Sequence, residues 1–227
     1  METTLFNIKK VQKRSAEVQT ADVLRDAIVG GAIPLGSRLT EISAAEQLGV
    51  SRSTIRTAFH QLVQEGLIVQ VPYTGWTVMT LSAQDAWELY TLRASLEALA
   101  ARLVAQQIRD GKNDVAAALA HAVETLKNAC ASGVKHAIAR EDMNLHKAII
   151  ALSGHGRLMD QYARIQHQIL IYIQSSDALV ATPEQILTQH LPLIDALQSG
   201  APDAAMQAAM AHNESEGAIL VKFLRDN

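Results

Sequence analysis

The chain has 227 residues, 48% of them hydrophobic and 19% charged, which suits one large or two small folded domains and argues against a mainly disordered protein. Twenty Lys and Arg against 23 Asp and Glu give a formal charge of −3, a total that speaks against nucleic acid, whose binders usually carry a basic face. The single cysteine, Cys130, excludes an intramolecular disulfide framework and is read as a bystander thiol rather than a nucleophile or sensor. The first ten residues lack the apolar core of a signal peptide, and no stretch reaches the about 18 apolar residues of a membrane span. A cytoplasmic protein without a membrane partner is therefore expected.

The charge is uneven. Residues 1–80 carry 8 Lys and Arg and 7 Asp and Glu, a net of +1, and residues 81–227 carry 12 and 16, a net of −4. Alanine occurs 7 times before the same point and 29 times after it, and no proline lies between Pro72 and Pro183. Such a composition favours long helices. We therefore expect two domains, 1–80 and 81–227, and a mainly α protein.

In chain order, Val18, Ala21, Leu24, Ala27 and Ile28 form a helical stripe that Gly30-Gly31 ends, with a turn at Pro34 and Gly36. A short helix is expected from Thr40 to Leu48, stopped by Gly49. A third follows, capped by the Ser51 hydroxyl and running to about Glu65, with Ile55, Phe59, Leu62 and Val63 inward. Residues 68–71 and 76–79 read as two strands joined by Pro72-Tyr73-Thr74-Gly75. Helix, tight turn, helix and hairpin together make a winged helix-turn-helix. Its chemistry fits DNA. Arg52 and Arg56 share one face of the third helix, and arginine can make a bidentate contact with guanine. Ser51, Ser53 and Thr54 occupy a first turn that attracts phosphate.

Residues 81–227 divide into roughly six helices. Ser82 caps the first, with Asp85 in a box-like position, and it runs to about Gln107. The others span about 113–131, 134–152, 157–175, 183–199 and 202–224. Pro183 and Pro202 stand at first-turn positions, and Pro192 should kink its helix. Polar residues interrupt the apolar stripes. The stripes are Ile138, Asp142, Leu145, Ile149, Leu152 with His146 beside them; Leu187, His190, Ile194, Leu197; and Ala205, Ala208, His212, Ile219, Leu220, Phe223. One carboxylate and three imidazoles thus face inward. Two readings are open: separate core histidines, each hydrogen-bonded to backbone, or a shared divalent metal, for which Asp oxygen and His nitrogen suit Zn, Ni, Mn or Fe. Arg93 is either a clamp for a ligand carboxylate or half of an Arg93–Glu97 surface pair. Trp87 and Tyr90 are read as packing residues or pocket walls, packing being preferred, and His121, His136 and His167 as solvated or structural.

Residues 18–80 resemble the winged helix of the GntR transcription factors. The matching positions are Leu24-Arg25-Asp26-Ala27-Ile28, Gly31, Pro34, Gly36, Leu39, Glu41, Leu48-Gly49-Val50-Ser51-Arg52, Arg56 and Glu65-Gly66-Leu67. The resemblance implies operator contacts at Arg52 and Arg56, approach of the wing-tip Gly75 to the minor groove, and a further candidate at Arg38. Two departures bear on the operator sequence: Glu41-Ile42-Ser43-Ala44 lacks the arginine common at the start of the second helix, and Thr54 stands where proline is frequent. Residues 83–222 resemble the ligand-binding domain of the FadR-type subgroup, through Asp85, Leu89, Tyr90, Arg93, Glu97, Asp142, Leu145-His146, His190 and His212. This likeness implies a metal held by Asp142, His146, His190 and His212, and a small carboxylate effector. It further implies a homodimer on a short palindromic duplex, acting as a repressor. Leu145 stands where phenylalanine is usual and His155 where asparagine is frequent. The competing classes are a metal-dependent enzyme and a pure metal sensor. No HExxH-type motif favours the enzyme.

Overall fold

The computed structural model describes residues 14–71, 75–180 and 182–226. The first ten residues and the Pro72-Tyr73-Thr74 part of the expected turn lie outside the described residues. The chain divides into two compact units between Val78 and Met79.

In the first unit, α1 (Ala16–Val29) begins two residues earlier than the stripe suggested, because Ser15 accepts the Val18 amide as its cap. Its Ala21, Leu24 and Ile28 are buried against α3. Helix α2 (Glu41–Leu48) is capped by Thr40 and ends at Gly49, whose φ of 65° is the left-handed conformation a helix stop needs. Helix α3 (Arg52–Gln64) buries Ile55, Ala58, Phe59 and Leu62. Val63, expected inward, is exposed, and Ala58 takes its place. A two-residue strand, β1 (Arg38–Leu39), was not expected. It pairs with β3 (Gly75–Val78), which pairs in turn with β2 (Ile68–Val71), all antiparallel in the order β1-β3-β2.

Six helices among the described residues build the second unit: α4 (Ala83–Arg109), α5 (Asn113–Ser132), α6 (Lys135–Leu152), α7 (Gly156–Asp177), α8 (Pro183–Gln198) and α9 (Pro202–Asp226). Helix α4 touches all five others and lies longest against α9. Ser82 caps α4, but the Asp85 carboxylate does not complete a box; it accepts the Tyr172 hydroxyl at 2.6 Å. A full capping box stands instead at Thr182 and Gln185. His155 Nδ1 caps α7 by accepting the Leu158 amide at 3.2 Å, the role an asparagine would also fill. Helix α8 runs on through Pro192.

The phase of α9 differs from the expected stripe. Ile219 and Phe223 are 47% and 44% exposed, and the buried face is Ala205, Ala209, His212, Asn213, Glu216, Gly217, Leu220 and Val221. Trp87 is also no packing residue: at 53% exposure it borders a surface groove of about 630 Å³ between α4 and α9. His121 and His136 are exposed, and Cys130 is buried and unpaired.

Candidate functional site

The candidate nucleic-acid face is built on the start of α3. The Ser51 hydroxyl accepts the Thr54 amide at 3.1 Å and stands 2.8 Å from both Ser53 Oγ and Thr54 Oγ1. Thr54 is buried, and its hydroxyl stands within the cap. A proline at this position would lack the amide that Ser51 receives. Arg52 and Arg56 are 61% and 57% exposed in their side chains. Both face Glu41, at the first position of α2. Arg56 donates from Nε and Nη2 to the two carboxylate oxygens at 2.9 and 2.8 Å, and Arg52 Nη2 lies 3.8 Å away. Hydrogen bonding from Arg56 lowers the Glu41 pKa, and the Trp76 side chain adds a smaller contribution. Arg38 is exposed on β1, opposite Thr77. Gly75 has φ +102°, and an added Cβ would meet the Leu39 carbonyl at 3.4 Å, so the edge of the wing needs glycine there.

A second constellation lies inside the helical unit, where Asp142 and His146 share one face of α6, and His190 and His212 come from α8 and α9. All four are buried. Asp142 Oδ1 is 3.1 Å from His146 Nε2 and 3.4 Å from His190 Nε2, and the two Nε2 atoms are 3.2 Å apart. One nitrogen from each of the three rings falls within 4.8 Å of the other two. His190 Nδ1 donates to the Ile186 carbonyl at 2.8 Å and His212 Nδ1 to the Gln189 carbonyl at 3.3 Å, which directs each Nε2 into the cluster; at His190 a metal would have to replace the proton that Asp142 holds there. Both Asp142 oxygens and His212 Nε2 lack a hydrogen-bond partner among the described residues. Separate hydrogen-bonded core histidines would not leave these buried atoms without partners. Two donors each about 2.1 Å from one ion, at roughly octahedral to tetrahedral angles, stand about 3.0–3.4 Å apart. The three measured separations match, so the donor set fits a divalent metal.

The electrostatics agree. Burial opposes the Asp142 charge, yet His190 and His146 hold its carboxyl well below the usual range. Burial likewise opposes charge on His190, but Asp142 outweighs it and pushes the ring up to about 9. Burial and the two neighbouring imidazoles drive His212 well below its ordinary value. The pocket thus favours one concentrated positive charge beside Asp142 and a neutral ring at His212.

Above this set lies a polar network that the stripes did not reveal. Glu97 accepts Arg93 Nε at 2.8 Å, the Tyr162 hydroxyl at 2.7 Å and Asn213 Nδ2 at 2.9 Å, and its Oε2 stands 2.9 Å from His146 Nδ1. The Glu97 charge beside it raises the His146 pKa against burial, although Nδ1 itself makes no hydrogen bond among the described residues. Arg93 and Glu97 are both fully buried, which overturns the surface-pair alternative. Arg93 Nη1 and Nη2 have no hydrogen-bond partner among the described residues. Glu216, one turn beyond His212, is also buried here. A carboxylate four residues after an inward histidine is a readable signal once the α9 phase is known.

A winged helix-turn-helix joined to a helical bundle of this kind defines a class of DNA-binding transcriptional regulators. Residues 16–78 match the family model of the bacterial regulatory proteins, gntR family, and residues 88–215 match the FCD domain. The chain belongs to the GntR family and carries an FCD domain, a domain known for binding metal. Members regulate transcription and are not enzymes, so the enzyme alternative is set aside. The chain is 24% identical over 204 residues, covering 90% of it and 88% of the relative, to a "Probable D-xylose utilization operon transcriptional repressor" of Paenarthrobacter nicotinovorans. It is 26% identical over 190 residues, 84% of this chain and 82% of the relative, to the HTH-type transcriptional repressor RspR of Escherichia coli. A solved GntR structure from Rhodococcus sp. RHA1 superposes with a TM-score of 0.75 at 24% identity, covering 92% of this chain and 99% of that one, which shows a shared fold. No helix among the described residues is long and apolar enough to cross a membrane.

Proposed function

We propose that the protein is a dimeric repressor whose helical unit holds a divalent metal through Asp142, His146, His190 and His212 and senses a small organic acid. The observation that carries this reading is the pair of orphaned Arg93 amino groups buried next to the orphaned Asp142 and His212 atoms. An arginine whose one hydrogen bond to Glu97 is through Nε, with only a looser 3.5 Å ion pair from Nη1 to Glu216, has donors left for a carboxylate, which favours an acid effector over a pure metal sensor. The metal, Zn, Ni, Mn or Fe, would supply a Lewis-acidic partner for one oxygen of that acid. On the DNA side, Arg52 and Arg56 read base edges, Ser51 and Ser53 together with the α3 N-terminus hold phosphate, and Arg38 and Gly75 place the wing. Two copies would span a short palindrome. The effector acts to the extent that it binds one arrangement of the DNA-reading units better than another. The repressors among the relatives support the sign of regulation.

The test has two arms on the full-length protein. Selection from a random duplex pool should yield a palindromic sequence, and Arg52→Ala with Arg56→Ala should abolish its binding without changing the melting temperature. Retained affinity in that variant would sink the DNA assignment. In a thermal-shift screen, one class of small carboxylic acids should stabilise the metal-loaded protein by several degrees and the chelator-treated protein far less. Equal shifts in both states would remove the metal from effector sensing.

A further inference from the structure

Glu216 is unexplained by the reading above, although that reading rests on the same pocket. It is 6% exposed and enters from α9 on the side of the cluster nearest Arg93. Its Oε1 lies 3.4 Å from His212 Nε2, and its Oε2 lies 3.5 Å from Arg93 Nη1. One of its oxygens, an oxygen of Asp142 and a nitrogen of His190 all fall within 4.8 Å of one another. A carboxylate pushed into the same buried space as Asp142 repels it, and that arrangement is costly unless Glu216 takes up a proton or a cation lies between them or beside both. Arg93 compensates one oxygen only. The other lies 3.4 Å from His212 Nε2.

This is the placement that an acid effector would need, with one oxygen toward the ion and the other toward the guanidinium. We infer that Glu216 is a fifth, internal metal ligand that bridges the ion to Arg93, and that an acid effector binds by displacing it. The protein then carries its own competitor for the effector site. Two consequences separate this from a merely structural carboxylate. Removing the Glu216 charge weakens the metal, because a ligand is lost. Removing it also strengthens binding of an external carboxylate, because the competitor is gone. A packing residue would move both in the same direction or neither. The site's response to acid is also carried on α9: Glu216 shares that helix with His212, so displacing the first changes the restraint on the element that holds the second.

The experiment uses full-length protein stripped with chelator and titrated with Co²⁺, whose visible absorption reports the number and type of its ligands. Wild type, Glu216→Gln and Glu216→Asp are compared, with acetate as the external carboxylate. Gln keeps the shape, and Asp keeps the charge but withdraws it by one methylene. We expect Glu216→Gln to lose about tenfold or more in Co²⁺ affinity, the scale of a lost metal-supporting group, and to show an altered Co²⁺ spectrum. Acetate should restore that spectrum at a concentration about tenfold below the one that perturbs wild type. Glu216→Asp should fall between the two. Uptake of Co²⁺ by Glu216→Gln with wild-type affinity and spectrum would overturn the inference while leaving the metal reading intact. Failure of wild type to take up Co²⁺ at all would overturn both. Should Glu216→Gln not fold, Glu216→Asp decides: an unchanged affinity and an unchanged acetate response in that variant likewise refute the bridge.

Discussion

The Arg56 guanidinium has two forks, and Glu41 occupies the one made by Nε and Nη2. The end-on fork, which includes Nη1, is left for a base edge. Glu41 is 15% exposed and lies close to both arginines of α3, so it does two things at once. It orients Arg56, and it sets a negative charge beside a surface that must meet phosphate. Glu41→Gln should therefore loosen recognition without weakening attraction. We expect affinity for a scrambled duplex to hold or rise, and the ratio of selected-sequence to scrambled affinity to fall about tenfold, within the about 1–3 kcal/mol that a bidentate contact contributes. Fluorescence anisotropy on the two duplexes measures both. An unchanged ratio would show that Arg56 is oriented by something other than Glu41. The overall charge of −3 is in this respect a poor guide: under the proposed function, DNA reading would rest on a few placed groups rather than on bulk charge.

At the scale of elements, the crossing of α4 and α9 depends on Gly217. A Cβ there would sit 2.8 Å from Tyr90 Cβ and 2.9 Å from its Cγ, neither of which lies at the free end of a flexible chain. Helix propensity alone would favour alanine, but the clash wins. Gly217→Ala should lower stability by about 1–3 kcal/mol, the range of an overpacked core site, and weaken metal binding, since α9 carries His212 and Glu216. A denaturant titration gives the first and a Co²⁺ titration the second; an unchanged midpoint would mean that the helices part at little cost. The same crossing shows where the sequence stops being legible. Helices whose ends carry Ser82, Thr182, Pro183, Gly49 or Gly133 can be read to within two residues, because each cap or stop has a local chemical cause. The phase of α9 could not, because alanines on several sides flatten the apolar contrast, and Ile219 and Phe223 pulled the expected stripe away from Glu216. Asp142, His190 and His212 were visible because each interrupts an apolar stripe, and His146 because it flanks one. Tyr162, Asn213 and the contact of Glu97 with His146 were not, since they depend on which helices meet. Strand β1 is too short for any alternation to register.

At the scale of the whole molecule, the buried cluster ties stability to pH. His190 is raised to about 9 against an ordinary 6.5, and His146 is raised as well: burial opposes their charge, and Asp142 for the first and Glu97 for the second prevail. A raised folded-state value contributes stability that is complete below the unfolded pKa and is lost as pH climbs through the folded one. Asp177 has the same sign. Burial, then the charges of Asp142 and Glu216, push it up to about 8, so its contribution is lost between about pH 4 and 8. His212 is lowered, but it acts only below its ordinary value and so adds nothing above pH 6.5. From pH 6.5 to 9 these groups therefore pull in one direction, and the metal-stripped protein should lose on the order of 3 kcal/mol, about 5–10 °C in melting temperature. A divalent metal would reverse the trend over the same window, because it would compete with protons for the His190 and His146 rings and gain affinity as they leave. Melting curves of chelator-treated and Zn²⁺-loaded protein should consequently diverge as pH rises, and His190→Gln should flatten the stripped curve while leaving the slope that comes from general charge repulsion. Parallel curves for the two states, or a stripped protein whose stability rises from pH 6.5 to 9, would mean that the cluster does not exchange protons for metal.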